Sequence, residues 1–385
     1  MKIIKTFLFA FLFVISSACV GAYAGEDSRV DRLLELLVQK GVITSDEATD
    51  LKKEVSAPEQ VVAAPPALKP PSINFSGYMK LQSQWTENGA TSNNDTFRVR
   101  QARLIFSGEP AQRLSYRINI GLERTDPTLL ESSVTYKLSP ELALVGGQFK
   151  VPISRESIAS GRDLDLLERA SFIDQFRFTN GYDQGFKLTW NPDPDLMLEV
   201  GAFNGTGKNT TDSNDQKSWV SRLSGTVNIG SLRIEPEIAY LRAPSEDAAN
   251  PLIEQSLRST PGFAPYDKSL KQWGLAAFHS TLSIKHEYIQ GRFQPKNSVL
   301  RSVIADGMFI QLGAALSQKC DGFLRFETFD RDLNTTTNTD TQWTTIGLKI
   351  QKYKNLRYKL NYTWKKEVVS SDDNDVLGME MILLY

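Results

Sequence analysis

Residues 152–183, PISRESIASGRDLDLLERASFIDQFRFTNGYD, carry Arg155, Arg162, Arg169 and Arg177 together with Glu156, Asp163, Asp165, Glu168 and Asp174. Lys150 stands just ahead of them. Carboxylates at this density could do acid–base work, but catalysis also needs a nucleophile or acid set against a base. The chain has two histidines, His279 and His286, both in strand-like segments beside one tight turn, and no Ser–His–Asp grouping. Cys320 falls in a short turn. No catalytic, metal or cofactor site is expected, and the Asp- and Asn-rich loops read as polar loops rather than cation sites. The chemistry left to these residues is electrostatic: fixed charges of both signs at a narrowing can attract and orient small solutes.

The segment's surroundings explain why a narrowing is expected. A stretch of about thirty residues without periodicity is unusual inside a compact domain and often functional. On either side of it, apolar and polar residues alternate. In LSYRINIGLER, Leu114, Tyr116, Ile118, Ile120 and Leu122 oppose Ser115, Arg117, Asn119, Gly121 and Glu123. In NLRYKLNYTWK, Leu356, Tyr358, Leu360, Tyr362 and Trp364 oppose Arg357, Lys359, Asn361, Thr363 and Lys365. Such alternation means strands with one apolar and one wet face. Sixteen segments of this kind can be placed, from about 74–85 to about 376–385. Each is about as long as a tilted strand needs to be to cross a bilayer, with aromatics such as Trp85, Tyr136, Trp190 and Trp364 near the ends. Connections alternate between tight (SPE, IG, HS, YKN) and long and polar, and the last strand ends on Tyr385. The fold class expected is all-β: a 16-stranded antiparallel transmembrane β-barrel with a short N-terminal helical segment.

Bulk properties fit. Mean hydropathy is −0.30 and net charge −1, which excludes a helical membrane bundle and gives no basic bias towards nucleic acid. Lys2 and Lys5, the apolar run FLFAFLFVI and AYA at 22–24 form a secretory signal over residues 1–24. Residues 25–56 read as a short periplasmic helical segment, with Thr44 and Glu47 as a capping box. Residues 57–73 form a Pro-rich linker, and residues 74–385 the barrel, its constriction loop at about 152–183.

The stretches FRVRQARLIFSG, VTYKLSPELALVGGQFKVP, DLDLLERA and VGAFNGTG resemble the phosphate-selective porin O and P family. The resemblance implies a trimeric outer-membrane porin of sixteen strands whose third outer loop narrows the pore. Well-known members place a ladder of Arg and Lys along the lumen, whereas here the inferred lumen is mixed. The pore-constriction candidates are Lys150, Arg155, Arg162, Arg169 and Arg177; those of the lumen wall are Arg117, Lys137, Lys187, Arg222, Arg325, Arg357 and Lys359. Lys150 is assigned to the lumen as the face opposite Val145, Phe149 and Val151, with Gln148 its polar neighbour there. The function expected is passive diffusion of small hydrophilic solutes or anions, phosphate among them, through a homotrimer in the outer-membrane lipid. The alternative is a structural or adhesive barrel without an open pore.

Overall fold

A computed structural model of the protein describes residues 73–87, 96–176, 181–212, 215–244, 260–335 apart from 262 and 264, 341–367 and 374–385, with a few positions between 38 and 49. Two compact units are present, residues 1–67 and 68–385. In the first, positions 38, 39, 45, 46 and 49 are helical, and Thr49 Oγ1 donates to the Ser45 carbonyl at 2.8 Å. The signal peptide, most of the helical segment and nearly all of the linker expected from the sequence fall outside the described residues.

The second unit is a closed antiparallel barrel. Its strands are β1 (Asn74–Thr86), β2 (Thr96–Ala111), β3 (Leu114–Gly121), β4 (Thr128–Lys137), β5 (Leu142–Lys150), β6 (Tyr182–Asp193), β7 (Leu196–Phe203) and β8 (Ser218–Gly225, resuming at Val227–Ile229). They continue with β9 (Leu232–Pro244), β10 (Tyr266–His279), β11 (Leu282–Pro295), β12 (Val303–Ser317), β13 (Cys320–Asp330), β14 (Thr341–Tyr353), β15 (Leu356–Glu367) and β16 (Val376–Leu384). Both pieces of β8 pair with β9, so sixteen strands make the ring. Each strand pairs with its sequence neighbours, and β1 with β16 closes the circle from Tyr78↔Leu384 to Thr86↔Val376. At this seam the Tyr385 hydroxyl donates to the Arg103 carbonyl at 2.9 Å. A side chain at Gly77 would lie 2.3 Å from that same oxygen and 2.5 Å from the Tyr385 ring, so only glycine lets the seam close.

Alternation fixes which way the wall faces. Ile238, Tyr240, Trp273, Leu275, Ile310, Leu312, Leu360 and Met379 are exposed on the outer wall, while Lys80, Glu199, Arg222, Glu237, Gln272, Glu287, Arg325, Lys359 and Glu380 are buried within. A lipid-facing apolar surface and a charged interior form the inverse of a soluble sandwich, whose apolar faces meet.

One sequence expectation is overturned here. On β5, Val145 pairs with Thr135 and Lys187, and Leu144 with the exposed Tyr136 and Leu188. Val145 and Phe149 therefore face inward, and Gln148 lies on the outer face. Its amide donates to the Leu129 and Leu130 carbonyls at 3.0 and 3.1 Å and exchanges hydrogen bonds with Asn209. The reason is that the bore holds its own apolar core. Phe149, Val151 and Phe203 join Phe172, Ile173 and Phe176 of the β5–β6 connection and inward residues of β9–β13 in one buried cluster.

The polar bore and its inserted segment

The connection from β5 to β6 is described through residue 176. It contains α1 (Arg155–Ile158), a 3-10 turn (Gly161–Asp163) and α2 (Ser171–Phe176). Ser154 caps α1, its hydroxyl accepting from Ser157 N at 2.9 Å. The segment packs on the inner wall. Phe172 lies 6.2 Å from the Phe309 ring and Phe176 5.6 Å from Phe329. Wall glycines form the sockets: a side chain at Gly291 would meet Phe176 at 2.7 Å, and one at Gly307 would meet Phe172 at 2.5 Å. Each fully buried apolar side chain of this kind contributes about 1.5–3 kcal/mol relative to exposure.

Such short, irregular structure leaves many main-chain groups without internal partners, and buried ones must be satisfied elsewhere. The wall supplies them, sorted by sign. Carboxylates accept from amides: Glu237 from Arg155 N (2.9 Å), Glu287 from Glu156 N (2.9 Å) and Glu327 from Ser171 N (3.0 Å). Cations donate to carbonyls: Lys80 to Gly161 and Leu167, Arg357 to Arg162, Lys359 to Leu166, and Arg325 to Glu168, all at 3.1–3.4 Å. Asp165 of the insert is held by Lys285 at 2.6 Å, Gln311 at 2.8 Å and Lys349 at 3.4 Å. Burial alone would raise its pKa, but the two lysines hold it below the usual carboxylate range. Burial acts the same way on Glu168, and there the Arg100 guanidinium wins, bringing the carboxyl down to about 2.

On the other side, between the insert and β2–β7, is a cavity of about 1180 Å³. Eight cationic and six acidic side chains line it. Several are paired across the wall: Arg117 with Glu131 at 3.0 Å, Lys187 with Glu199 at 2.5 Å, and Arg103 with Glu123. Arg100 grips Glu168 of the insert through two hydrogen bonds of 2.9 and 2.8 Å. Lys150 and Arg169 converge on one oxygen, the Ala159 carbonyl, each at 2.6 Å. Lys150 also donates to the Ile158 carbonyl at 2.9 Å and lies 5.7 Å from the centre of the Tyr182 ring.

The residues named from the sequence are thus divided. Lys150, Arg169, Arg117 and Lys187 line the cavity. Lys150 is not the lone charge expected beside Gln148: carbonyls of the insert engage it, and Gln148 points elsewhere. Arg155 pairs with Glu235, and Arg162 lies over the Tyr78 ring at 5.9 Å and 3.4 Å from Asp163. Arg222 is held by Glu199 at 2.9 Å and Glu237 at 2.5 Å; Arg325, Arg357 and Lys359 hold the insert. Lys137 is exposed at the tight-turn end of β4. Arg177 lies outside the described residues. The sequence reading missed Arg100 and Arg103. A register shift opposite Lys80/Leu81 sets Lys80 against Gln101 and Leu81 against Val99, so that Arg100 is the extra residue of a bulge. The bulge flips the alternation, and Arg98 and Arg103, which strict alternation puts on opposite faces, both turn inward.

A closed barrel with an apolar outer wall, a charged interior and a chain segment folded into the bore defines the porin class. Residues 77–234 match the model of the family described as phosphate-selective porin O and P. No curated protein sequence matches the chain. Among solved structures, the barrel is similar to OmpF of Salmonella typhi in complex with daunomycin, with a TM-score of 0.60 at 10% identity over 81% of this chain and 97% of that one. An anion-selective porin of Comamonas acidovorans gives 0.58 at 10% identity over 82% and 100% of the two chains. The trimer form of OmpT, an outer membrane protein of Vibrio cholerae, gives 0.58 at 12% identity over 82% and 100%. At these identities the likeness is one of fold.

Proposed function

We propose that the barrel is a passive diffusion channel for small hydrophilic solutes, with a bias towards anions of which phosphate is one candidate. The observation that carries this reading is the convergence of Lys150 and Arg169 on one carbonyl oxygen at the edge of the bore cavity. An anion passing this edge of the cavity meets both positive side chains. Cations also outnumber carboxylates along the whole cavity. At about 4 Å and an effective dielectric of about 20, one such charge attracts an anion by about 4 kcal/mol before desolvation is subtracted, enough to bias passage without trapping. On this reading the insert at 152–183 is the constriction, with Lys150, Arg155, Arg162, Arg169 and Arg177 as its charges. The signal over residues 1–24 is removed on export. The helical segment at 25–56 and the linker at 57–73 remain in the periplasm. The working form is a homotrimer, as the trimer form of the Vibrio cholerae OmpT suggests. Reversal potential and single-channel conductance in planar bilayers, in chloride and in phosphate, test the proposal. A cation-selective channel, or a barrel that carries no current, would refute it.

A further inference from the structure

The outer wall carries an arrangement that conduction does not use. Lipid-facing positions in the spanning strands are almost all apolar or aromatic, yet three adjacent strands present cations there. Arg242 of β9 is in register with Ser269 of β10, and Ser269 with Arg292 of β11. Lys271 lies on the same outer face two residues further along β10, in register with Tyr240 and Gln290. All three cations are exposed, and Arg242 and Lys271 make no ion pair among the described residues. Arg292 donates to Gln294 at 3.0 Å.

Their height on the wall is fixed by neighbours. Arg242 is two residues from the end of β9 that enters a long connection, and Arg292 three from the corresponding end of β11. Beside and beneath them are the exposed aromatics Trp219, Tyr240 and Trp273. Below these the same face is apolar, with Ile238, Leu275 and Ile284. An aromatic girdle marks the boundary of the hydrocarbon, so the cations stand at head-group level on the long-loop side. With strands about 4.8 Å apart, Arg242 and Arg292 are roughly 10 Å from each other, with the Ser269 hydroxyl between. Acidic groups bound the patch rather than fill it. Asp267 lies 3.8 Å from Lys296, and Asp306, next to Gln290, accepts from the Tyr288 hydroxyl at 3.0 Å.

We propose that Arg242, Lys271 and Arg292 form a docking site for the phosphorylated head group of an outer-leaflet glycolipid, whose acyl chains lie down the apolar face of β9–β11. Charge complementarity, the girdle position and the head-group-sized footprint select this occupant over a protein. Each surface cation contributes about a fivefold factor in affinity for an anionic lipid, so three together contribute on the order of a hundredfold. The test uses the whole protein in detergent, titrated with diphosphorylated lipid A and followed by native mass spectrometry. The triple variant R242Q/K271Q/R292Q is expected to bind on the order of a hundredfold more weakly than wild type. Lys366→Gln, an outward cation on β15, should change binding less than twofold, and dephosphorylated lipid A should not distinguish wild type from the triple variant. Conductance of the triple variant should equal wild type, which separates this proposal from the channel reading. If the triple variant fails the heat-mobility test for folding, Lys271→Gln alone, with a fivefold loss, carries the comparison. Equal binding by wild type and the folded variant would overturn the proposal. So would displacement of the lipid by millimolar inorganic phosphate, which would make this a free-phosphate site, or loss of oligomers in the variant, which would make the face an interface between copies.

Discussion

Arg325→Met should release the inserted segment while leaving the barrel closed. The Arg325 side chain is 4% exposed and lies 3.2 Å from Glu156 of the insert and 3.1 Å from Glu327 of the wall. It also donates twice to the Glu168 carbonyl, at 3.3 Å each. At an effective dielectric of about 20, each carboxylate attraction at this range is about 5 kcal/mol before the desolvation of all three groups is charged against it. Removing one partner of such a buried set costs about 3–5 kcal/mol, because the remaining carboxylates stay buried without their cation. That penalty falls on Glu156, Glu327 and the start of α2, where Glu327 also holds Ser171 N. The β12–β13–β14 ladder around Arg325 keeps its backbone pairing. The expected variant inserts into bilayers and shows larger, noisier single-channel steps. Adding Glu327→Gln should recover part of the loss, since the stranded charge is then gone. Wild-type conductance with an unchanged thermal midpoint would refute the assignment of Arg325 to the insert's docking. Failure of the variant to form a barrel at all would show that Arg325 belongs to the wall's own stability.

Ile118→Arg, on the outer face of β3, should cost about 2–4 kcal/mol in a urea refolding titration, whereas Asn119→Arg, facing the bore, should alter conductance and leave refolding near wild type. Gly307→Val should disturb conductance without opening the ladder, because its Cβ would lie 2.5 Å from Phe172; a wild-type single-channel trace would contradict the socket. Lys150→Gln keeps a donor for the Ile158 and Ala159 carbonyls while removing charge, so the reversal potential in a salt gradient should move towards cations; an unchanged potential would move the selective charge elsewhere. Acidification should leave the insert docked down to about pH 3. Glu168 is depressed from 4.5 to about 2, so its stabilising pairing with Arg100 is fully present above its unfolded value and is lost progressively as pH falls from there through the lower one. Glu156 is shifted the other way, burial raising it against the pull of Arg325, so protonating it on acidification favours the docked state. Insert release near pH 5, seen as a conductance jump, would refute this pH dependence.

The strands were legible because a barrel in lipid writes its two solvents into a period of two. Faces read from the sequence hold for β3 and β15, where both sets of side chains are large enough to declare themselves. They fail on β5 because Gly146 and Gly147 remove the side chains that would have declared the face, and because the insert brings its own apolar surface into the bore and draws Val145 and Phe149 inward. Arg103 was hidden by the bulge on β2, which changes phase without any residue that announces it. The partners of Lys80, Lys359, Arg357 and Arg325 were hidden for a different reason. They are carbonyl oxygens, which every residue possesses, so no residue type on the insert signals them.

That last point alters how charge in such a lumen should be read. A mixed wall looks like a weakened selectivity ladder when its lysines, arginines and glutamates are counted together. Here the two signs do different work: glutamates of β9, β11 and β13 take the insert's amides, and cations of β1, β13 and β15 take its carbonyls. The polarity of the insert's main chain thus accounts for both sets of charge. A carbonyl satisfies a cation's hydrogen bonds without neutralising it, whereas a carboxylate does both. The two lysines that share Glu380, Lys80 at 2.9 Å and Lys359 at 3.5 Å, therefore leave a net positive charge behind the insert. In a low-dielectric wall that charge is poorly screened and its field extends into the bore. The side chains that hold the insert against the wall thus also contribute to the potential in the bore.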